Sequence, residues 1–374
     1  MKTVEFGALF RFIRNGMNVK QDKSGDGLPI TRIETISDAT VDGTRVGFAG
    51  LQEADCRDWF LETGDILFSH INSVEHVGKC AVYRGKPEKL VHGMNLLCLR
   101  SDTAKLLPEF AKYLMRGTEF RTRLSNFINK AVNQASVSIG NLKTIPVTVP
   151  PLAEQRRIAE VLDRAEALRA KRRAALAQLD SLTQSLFLDL FGDPRKKGST
   201  GNTPTKPHLF GELTRIRTGK LDANAADEDG AHPFFTCAVE PLRINTPAFD
   251  CKAVLVAGNG DLNVKYFEGK FNAYQRTYVI ESLDESVLVP KFLYAFLDLY
   301  VSELRKQAIG GVIKYIKLPY LTDAVVQLPS EEWQREFARR VTAVEALKTA
   351  QRASLAELDA LFATLQHRAF RGEL

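Results

Sequence analysis

The chain has 374 residues, of which 44% are hydrophobic and 26% are charged, with a formal net charge of +6. These values exclude a disordered chain, and no apolar run reaches the roughly 18 residues that a membrane-spanning helix requires. The length allows two domains with separate cores, and the basic balance is compatible with an anionic partner.

Neither the start of the chain nor the cysteines indicate secretion. The opening MKTVEFGALF has no apolar core of a signal peptide, so we expect a cytoplasmic protein. The cysteines are odd in number and none is in C-x-x-C spacing, so we expect reduced, mostly buried thiols. They are Cys56, Cys80, Cys98, Cys237 and Cys251.

Residues 1–149 are predicted to form the first globular domain. The segment DILFSHINSVEHVGKCAVYRG, residues 65–85, has the composition of two strands joined by a polar loop. The phrase LLPEFAKYLM, residues 106–115, predicts a helix with Pro108 in its first position.

Residues 150–192 are predicted to form one long helix, from Pro150-Pro151 to Phe191-Gly192. Apolar residues at alternating spacings of three and four predict a single seam along one side, which Arg172 interrupts. The seam residues are Ile158, Val161, Ala165, Leu168, Ala175, Leu179, Leu182 and Leu186. A helix of about 38 residues, which is about 57 Å long at about 1.5 Å per residue, needs a partner of equal length to cover its seam.

The next segment, residues 193–209, is rich in Gly, Pro, Ser, Thr and Lys and is predicted to be a flexible linker. Residues 210–328 are predicted to form a second globular domain with the landmarks of the first. FGELTRIRTG at 210–219 corresponds to FGALFRFIRNG at 6–16, and Pro290 begins a helix as Pro108 does. The residues on both sides of GNGD, residues 258–261, have the composition of strands, as do those in residues 65–85 of the first domain.

Residues 329–374 are predicted to form a second long helix that repeats the first. With an offset of 179 and no gap, 15 of 37 residues are identical between 155–191 and 334–370. Its apolar residues are Phe337, Val341, Val344, Leu347, Leu355, Leu358, Leu361 and Leu365. We therefore expect an α+β fold in which two globular domains are separated by two long helices, packed as an antiparallel coiled coil with a pseudo-twofold internal repeat. A helix that only covers its own domain is the alternative.

No catalytic, cofactor or metal site can be found in the sequence. The phosphate-binding GxxxxGK[ST] loop, the Gly-rich dinucleotide fingerprint, the [ND]PP[FY] motif of amino-methyltransferases and HExxH are all absent. The six histidines have no cysteines at metal-ligand spacing. The sequence therefore predicts a binding protein without cofactor rather than an enzyme.

The sequences of the two predicted long helices resemble those of a known family. PPLAEQRRIAEVLDRAEALRAKRRAALAQLDSLTQSLFLDLFGDP, residues 150–194, is similar to the central region of type I restriction-modification specificity subunits. The last segment of the chain, ASLAELDALFATLQHRAFRGEL, is similar to their distal region. Residues 64–79 resemble a sequence segment within their target recognition domains.

The resemblance implies a non-catalytic DNA reader. Each of the two target recognition domains would read one half of a bipartite site in double-stranded DNA. The paired helices would set the spacing and dock two methyltransferase subunits, and ATP-dependent restriction subunits could then join. The second globular segment is shorter than the first, so the resemblance is weaker there.

Base readers are expected in loops, as amides for adenine and cations for guanine. The candidates in the first domain are Ser69, His70, Asn72, Lys79, Asn133, Gln134 and Ser136. Those in the second are Asn259, Asn263, Lys265, Gln275, Arg276 and Lys314. The candidate phosphate contacts are Arg11, Arg14, Lys20, Arg215, Arg217 and Lys220.

Four alternatives stay open from the residues alone. Solvated loop residues would explain each candidate singly, and a solvated face would explain the basic run at 169–173 as well as a phosphate contact would. A scaffolding protein that joins two binding modules without DNA, or an enzyme with an unrecognised site, are the competing functions.

Overall fold

The structure, a computed structural model, describes residues 2–37, 40–131, 134–196 and 198–374. The chain divides into two compact units. The first unit comprises Met1–Lys171 and Leu355–Leu374, and the second comprises Arg172–Ser354. Each unit contains one globular domain and part of each long helix.

The first unit is built from short strands, short helices and parts of the two long helices. Its strands are β1 (Lys2–Glu5), β2 (Phe10–Asn15), β3 (Ile30–Thr31), β4 (Ile36–Ser37), β5 (Thr40–Val41), β6 (Val46–Gly47), β7 (Ile66–Phe68), β8 (Ile71–Asn72), β9 (Cys80–Val82), β10 (Leu97–Ser101), β11 (Asn129–Ala131), β12 (Gln134–Ser136) and β13 (Pro146–Val149). Its helices are α1 (Pro108–Arg116), α2 (Thr118–Ser125), α3 (Ile139–Thr144) and the start of α4 (Leu152–Phe191).

The second unit contains longer strands and one substantial domain helix. Its strands are β14 (Thr205–Leu209), β15 (Thr214–Thr218), β16 (His232–Phe235), β17 (Leu242–Ile244), β18 (Phe249–Ala257), β19 (Val264–Ala273), β20 (Thr277–Ser282) and β21 (Val325–Pro329). Its helices are α5 (Phe210–Leu213), α6 (Pro290–Gln307), α7 (Pro319–Thr322) and α8 (Glu331–Arg371), whose last turns belong to the first unit. Helices α1 and α6 begin at Pro108 and Pro290, which confirms the prediction for both prolines.

The two domains share their strand order. The first has an antiparallel sheet in the order β2-β10-β7-β9, and the second has β15-β20-β18-β19 at the corresponding positions, extended by β16 and β17. A separate pair, β1-β13 in one unit and β14-β21 in the other, joins the start of each domain to the strand before its long helix. The shared order shows that the internal duplication extends beyond the helices.

The two long helices pack antiparallel within each unit. In the first unit the Arg169 Nε atom lies 2.5 Å from the Asp359 carboxylate. In the second unit the Lys348 Nζ atom lies 3.2 Å from the Asp180 carboxylate. Adding 179 to Arg169 and Asp180 leads to Lys348 and Asp359, so one ion pair is made twice, once by each copy of the repeat. The antiparallel arrangement expected from the sequence is confirmed.

The polar interruption of the seam at Arg172 is also explained by the helix pair. Arg172 is half-buried and donates from its guanidinium to the Gln351 side-chain oxygen. Gln351 is the counterpart of Arg172 in the repeat. Two counterparts meet in this way at the midpoint of an antiparallel pair of equivalent helices. The Gln351 side chain gives the half-buried Arg172 guanidinium a hydrogen-bond acceptor, which an apolar residue at that position could not do.

The predicted seam is wrong at four leucines. Leu168, Leu182, Leu347 and Leu361 are 52%, 39%, 52% and 50% exposed. The helix residues that are buried lie near the two domains, including Ile158 and Leu162 against the first core. A pair of helices covers less of each helix surface than a four-helix bundle does. Part of the apolar stripe of each long helix therefore stays exposed to water.

The segment predicted as a flexible linker is structured in large part. Thr205–Leu209 forms β14, which pairs antiparallel with β21. Before it, the chain folds back on the end of α4, where the Thr203 amide and hydroxyl both donate to the Leu190 carbonyl at 3.0 and 2.7 Å. A Cβ atom on Gly201 would lie 2.3 Å from the Leu190 backbone, so only glycine permits this approach. The other predicted domain boundaries stay predictions.

A buried glutamine connects the first turn of each long helix to its own domain. In the first unit the Gln155 side-chain oxygen accepts from the Leu107 amide at 2.9 Å, and its nitrogen donates to the Lys105 and Pro150 carbonyls at 2.8 and 2.9 Å. The Leu107 amide immediately precedes α1, and the Pro150 carbonyl precedes α4. Gln155 is 1% exposed, so these bonds are shielded from water.

Gln334 makes the same three bonds in the second unit. Its oxygen accepts from the Val289 amide at 2.8 Å, and its nitrogen donates to the Val287 and Pro329 carbonyls, both at 2.9 Å. We call each of these arrangements a glutamine clamp. The identity of Gln155 and Gln334 in the repeat therefore has a structural cause.

Replacing Gln155 with Met should destabilise the first unit by about 3 kcal/mol, because the volume is kept while one amide and two carbonyls lose their buried partner. Gln178→Met on the exposed face of α4 is the control and should change stability by less than about 0.5 kcal/mol. The measurement is urea unfolding followed by Trp59 fluorescence in a Trp333→Phe background. Equal unfolding midpoints for the two variants would contradict the clamp.

The first domain should also lose stability in mild acid because of His92. This side chain is 1% exposed, its Nε2 atom lies 2.8 Å from the Leu96 carbonyl, and burial lowers its pKa to about 4. A histidine with a lowered folded pKa stabilises the fold above its ordinary pKa of about 6.5, and this contribution is lost as the pH falls toward 4.

We expect about 2 kcal/mol of this loss between about pH 7 and pH 5, before carboxylates such as Asp163, with a lowered pKa, begin to titrate. His92→Gln, which cannot be protonated, should flatten this part of the pH profile in urea unfolding. The buried His70, whose pKa burial also lowers, supplies the residual slope. An unchanged slope in the variant would refute the assignment.

Candidate functional site

The first-domain candidates converge on one small sheet. Strand β12 pairs with β8, placing Ala135 opposite Asn72 and Ser136 opposite Ile71. β12 also pairs with β11, with Asn129 opposite Ser136 and Ala131 opposite Gln134. The Val137 amide donates to the His70 carbonyl at 2.9 Å, which fixes the base of the hairpin on the loop after β7. Two stretches predicted separately therefore form one site.

Side chains within this site order one another. Asn72 donates from its amide to the Ser69 hydroxyl at 3.2 Å and accepts from the Ser73 amide at 2.8 Å. Ser69 and His70 are 1% and 7% exposed, so they support the loop rather than present polar groups to solvent. Asn72 is half-buried, while Gln134 and Lys79 are exposed. The groups available to a ligand are therefore the side-chain amides of Asn72 and Gln134 and the amino group of Lys79.

Asn133, another candidate, lies outside the described residues. Lys79 is held near the site by its backbone, because its carbonyl accepts from the Ser69 amide at 2.8 Å. Ser136 is half-buried on β12, opposite Ile71.

The second-domain candidates gather around Cys237. Its thiol lies 2.8 Å from the Asn259 side-chain oxygen, and its carbonyl accepts from the Asn263 amide at 2.8 Å. Lys265 donates to the Asn263 side-chain oxygen, and burial lowers the pKa of this lysine. The Arg276 carbonyl accepts from the Gly258 amide at 2.8 Å, while its side chain is exposed. These contacts bring four of the predicted residues into one patch.

The remaining two candidates lie on neighbouring backbone. The Lys314 carbonyl accepts from the Gly260 amide at 2.9 Å, and its side chain is exposed. Gln275 is exposed, and its amide lies 3.4 Å from the Asp222 carboxylate. Both are therefore accessible from solvent.

The two sites have the same construction. In the second domain the Ile316 amide donates to the Gly258 carbonyl at 2.9 Å, as Val137 donates to His70 in the first. Tyr315 forms a bridge with Asn259, as Ser136 pairs with Ile71. Each site thus consists of the loop after the third strand of the shared order and a hairpin that leads to the long helix.

The predicted phosphate contacts separate into two groups. The Arg14 guanidinium lies over the rings of Phe12 and Trp59, 4.7 and 5.1 Å from their centroids, and donates to the Asp58 carbonyl. The Arg217 guanidinium pairs with Glu281 and lies 5.0 Å from the Phe249 ring centroid. These contacts hold both arginines within their domains.

The other four cations in this set are exposed on the surface. They are Arg11, Lys20, Arg215 and Lys220. Arg11 and Arg215 occupy equivalent places, five residues after Phe6 and Phe210, on the first strand of each sheet. Exposed cations of this kind are accessible to backbone phosphates.

The basic run on α4 serves the helix pair instead. Arg169 bonds Asp359 and lies 4.3 Å from the Phe362 ring centroid. Arg172 bonds Gln351. These two arginines are therefore occupied by the partner helix, which disfavours the alternative that the run as a whole contacts phosphates.

The described part of the chain has no group of three or more His, Cys, Asp or Glu side chains that could hold a metal ion. Within the same residues, no helix combines the length and apolar character that crossing a membrane requires. Cys56, Cys80 and Cys98 are buried free thiols, and Cys237 and Cys251 are half-buried and also free.

The two domains are built alike, and each has a loop and hairpin that present amides and cations. The protein therefore has two candidate binding sites of the same construction. Comparison with known proteins identifies its class. The sequence profile of the type I restriction modification DNA specificity domain matches residues 1–178 and 210–359, once for each copy. The chain belongs to the family of type I restriction-modification specificity subunits.

Curated relatives agree with this assignment. A putative type I restriction enzyme MjaX specificity subunit from Methanocaldococcus jannaschii is 32% identical over 370 residues, covering 92% of this chain and 86% of the relative. The EcoDI specificity subunit from Escherichia coli is 43% identical over 162 residues, which are 43% of this chain and 36% of that protein. The chain is thus the DNA-recognition subunit of a type I restriction-modification system.

Solved structures share the fold. The S subunit of a type I system from M. genitalium covers 99% of this chain, and 96% of that structure is covered, with a TM-score of 0.63 at 17% identity. A structure described for complex assembly and conformational transition of the type I system covers 100% of this chain and 98% of its own, with a TM-score of 0.59 at 17% identity.

Two residues of the second site were missed by sequence reasoning. The offset of 179 that aligns the helices also aligns Asn133 with Val312 and Gln134 with Ile313. The search for amides and cations passed over Val312 and Ile313 because both are apolar. Extending the repeat upstream of Pro329 would have identified them.

Proposed function

We propose that residues 1–149 and 210–328 each read one half of a bipartite DNA site, and that residues 150–192 and 329–374 hold two methyltransferase subunits. The observation that carries this proposal is the repeated site. Each domain presents the same loop and hairpin, but with different side chains, as two readers of unlike half-sites require.

In the first domain we assign base contacts to Asn72, Gln134 and Lys79, with Asn133 beside them in sequence. Ser69, His70 and Ser136 support that loop. In the second domain the base contacts are assigned to Gln275, Arg276 and Lys314, while Asn259, Asn263 and Lys265 order the loop around Cys237. Amides suit adenine and cations suit guanine, so the two sites favour different bases.

Sequence-independent affinity is assigned to Arg11, Lys20, Arg215 and Lys220. Their exposed side chains can bind phosphates and release counterions from the duplex. Arg14 and Arg217, held by aromatic rings and backbone or carboxylate partners, shape the sheet edges beside them.

The methyltransferase subunits are assigned to the exposed leucines of the helices. The first unit presents Leu168 and Leu361, and the second presents Leu182 and Leu347. The pairs are related by the repeat, since adding 179 to Leu168 and Leu182 leads to Leu347 and Leu361. Apolar side chains exposed in matching pairs favour two copies of one protein partner. ATP-dependent restriction subunits, where a system contains them, would join this complex.

We also propose that the chain has no catalytic activity of its own and acts in the cytoplasm, where its free thiols stay reduced. The test compares the purified chain with its complex with the cognate methyltransferase subunit, both given S-adenosylmethionine and genomic DNA. The chain alone should transfer no methyl groups, and the complex should methylate adenine within a two-part site. Turnover by the isolated chain would refute the proposal.

Single substitutions should distinguish base contacts from phosphate contacts. Asn72→Ala or Gln275→Ala should relax the preference at one base pair, at a cost of about 1–3 kcal/mol. Lys20→Ala or Lys220→Ala should weaken binding to all sequences and lower the salt dependence of log K by about 1. The measurement is competition binding over a library of site variants at several salt concentrations. A uniform loss from Asn72→Ala would reassign that residue to the backbone.

Charge in the exposed leucine pairs should remove methyltransferase subunits one at a time. Leu168→Glu with Leu361→Glu should leave a complex with one methyltransferase, and the four-fold variant with Leu182→Glu and Leu347→Glu should leave none. Mass photometry of the reconstituted complex measures the stoichiometry. Leu209→Glu, which changes an equally exposed leucine on β14, should keep two subunits. Two bound subunits on the four-fold variant would show that the leucines are not the docking surface.

A further inference from the structure

The hairpin of the second site has an apolar tip that projects into solvent. Val312 is 103% exposed and Ile313 is 61% exposed, whereas most apolar residues of this domain are buried. The Ile309 and Tyr315 backbones exchange hydrogen bonds of 3.0 and 2.8 Å, which close a turn over residues 310–314. The tip is therefore a narrow turn that one antiparallel bridge, between Ile309 and Tyr315, closes.

This conformation is built into the backbone. Gly310 has φ +119°, and a Cβ atom there would lie 2.5 Å from the Ile313 carbonyl oxygen, so the turn requires glycine. The turn is fixed at its base by two backbone hydrogen bonds of 2.9 Å, from the Gly260 amide to the Lys314 carbonyl and from the Ile316 amide to the Gly258 carbonyl. An exposed valine and isoleucine on an anchored turn cannot collapse onto the domain.

The position of the tip within the site indicates what it touches. The exposed Lys314 follows the tip directly. Arg276 is also exposed, and its carbonyl accepts a hydrogen bond from the Gly258 amide at the base of the tip. Exposed cations beside an apolar tip favour an anionic ligand that also carries apolar groups. In the first domain, the residue at the place of Ile313 is the exposed amide Gln134.

We propose that Val312 and Ile313 read the second half-site by van der Waals contact with the C5-methyl group of thymine in the major groove. This inference rests on the proposed DNA-reading function. The major groove is wide enough to admit a narrow protein element, and the thymine methyl is the one apolar group among the base edges there. Aliphatic side chains can neither hydrogen-bond to base edges nor stack as aromatic rings do, so within the major groove a methyl contact is the readout open to them.

The two copies of the repeat thus read by different chemistry from one place in the fold. The first hairpin offers amide hydrogen bonds, and the second offers apolar surface. This difference is a physical basis for unlike half-sites in a duplicated protein.

The test uses the full chain in complex with its methyltransferase subunits, on a duplex that contains the two-part site found by sequencing methylated DNA. Each thymine of the site is replaced in turn by deoxyuridine, which removes the methyl group and keeps the hydrogen-bonding edge. We expect one thymine in the half-site of the second domain to lose about fourfold in affinity when it becomes deoxyuridine, as removing one buried methyl group predicts.

In Ile313→Gln and in Val312→Ala with Ile313→Ala, the thymine and deoxyuridine duplexes should bind equally at that position. Val325→Ala, an exposed valine on β21, is the control and should keep the full discrimination. Circular dichroism melting checks that the variants fold, and size-exclusion chromatography checks that the complex assembles.

Three results would overturn the inference. The first is a site in which no thymine of that half is sensitive to loss of its methyl group. The second is a tip variant that weakens binding equally on both duplexes, which would indicate a backbone or base-step contact. The third is a tip variant that prevents assembly with the methyltransferase, which would make the tip a protein contact. In each case wild-type methylation of a two-part site would leave the proposed function standing.

Discussion

The structure depends on a side-chain amide that is buried at the start of each long helix. Gln155 and Gln334 each join three backbone groups that would otherwise be unpaired: the amide before the domain helix, a carbonyl two residues earlier, and the carbonyl before the long helix. Buried polar groups of this kind are costly without a partner. The clamp therefore ties the direction of each long helix to its own domain, and with it the hairpin that precedes that helix.

Duplication explains why so few kinds of interaction are needed. The clamp, the ion pair between the helices and the bond that fixes the hairpin each occur twice, once in each unit. The surface has diverged where the scaffold has not: Gln134 and Ile313 occupy the same place with opposite chemistry. A duplicated scaffold with divergent tips can read two unlike sequences, because the loops can change without altering the clamp.

Sequence reasoning predicted the features that follow from periodicity and repetition. The two long helices, their antiparallel pairing, the prolines at the starts of α1 and α6, and the duplication are all confirmed. The seam was wrong at Leu168, Leu182, Leu347 and Leu361, because periodicity shows which face is apolar but not whether a neighbour covers it. The linker was misread because Gly and Ser also suit a tight return over Leu190. The contacts of Arg14 with Trp59 and of Arg217 with Phe249 and Glu281 join residues far apart in the chain, which no local pattern reveals.

The central claim is that each domain, fixed to its own helix by its own clamp, reads one half-site independently. It is tested most directly by replacing residues 1–149 with the corresponding segment of another family member and sequencing the sites that the reconstituted methyltransferase complex modifies. The account predicts that one half of the recognised sequence changes, while the other half and the spacing between the halves stay as they were. A change in both halves, or a loss of the unreplaced half, would contradict it.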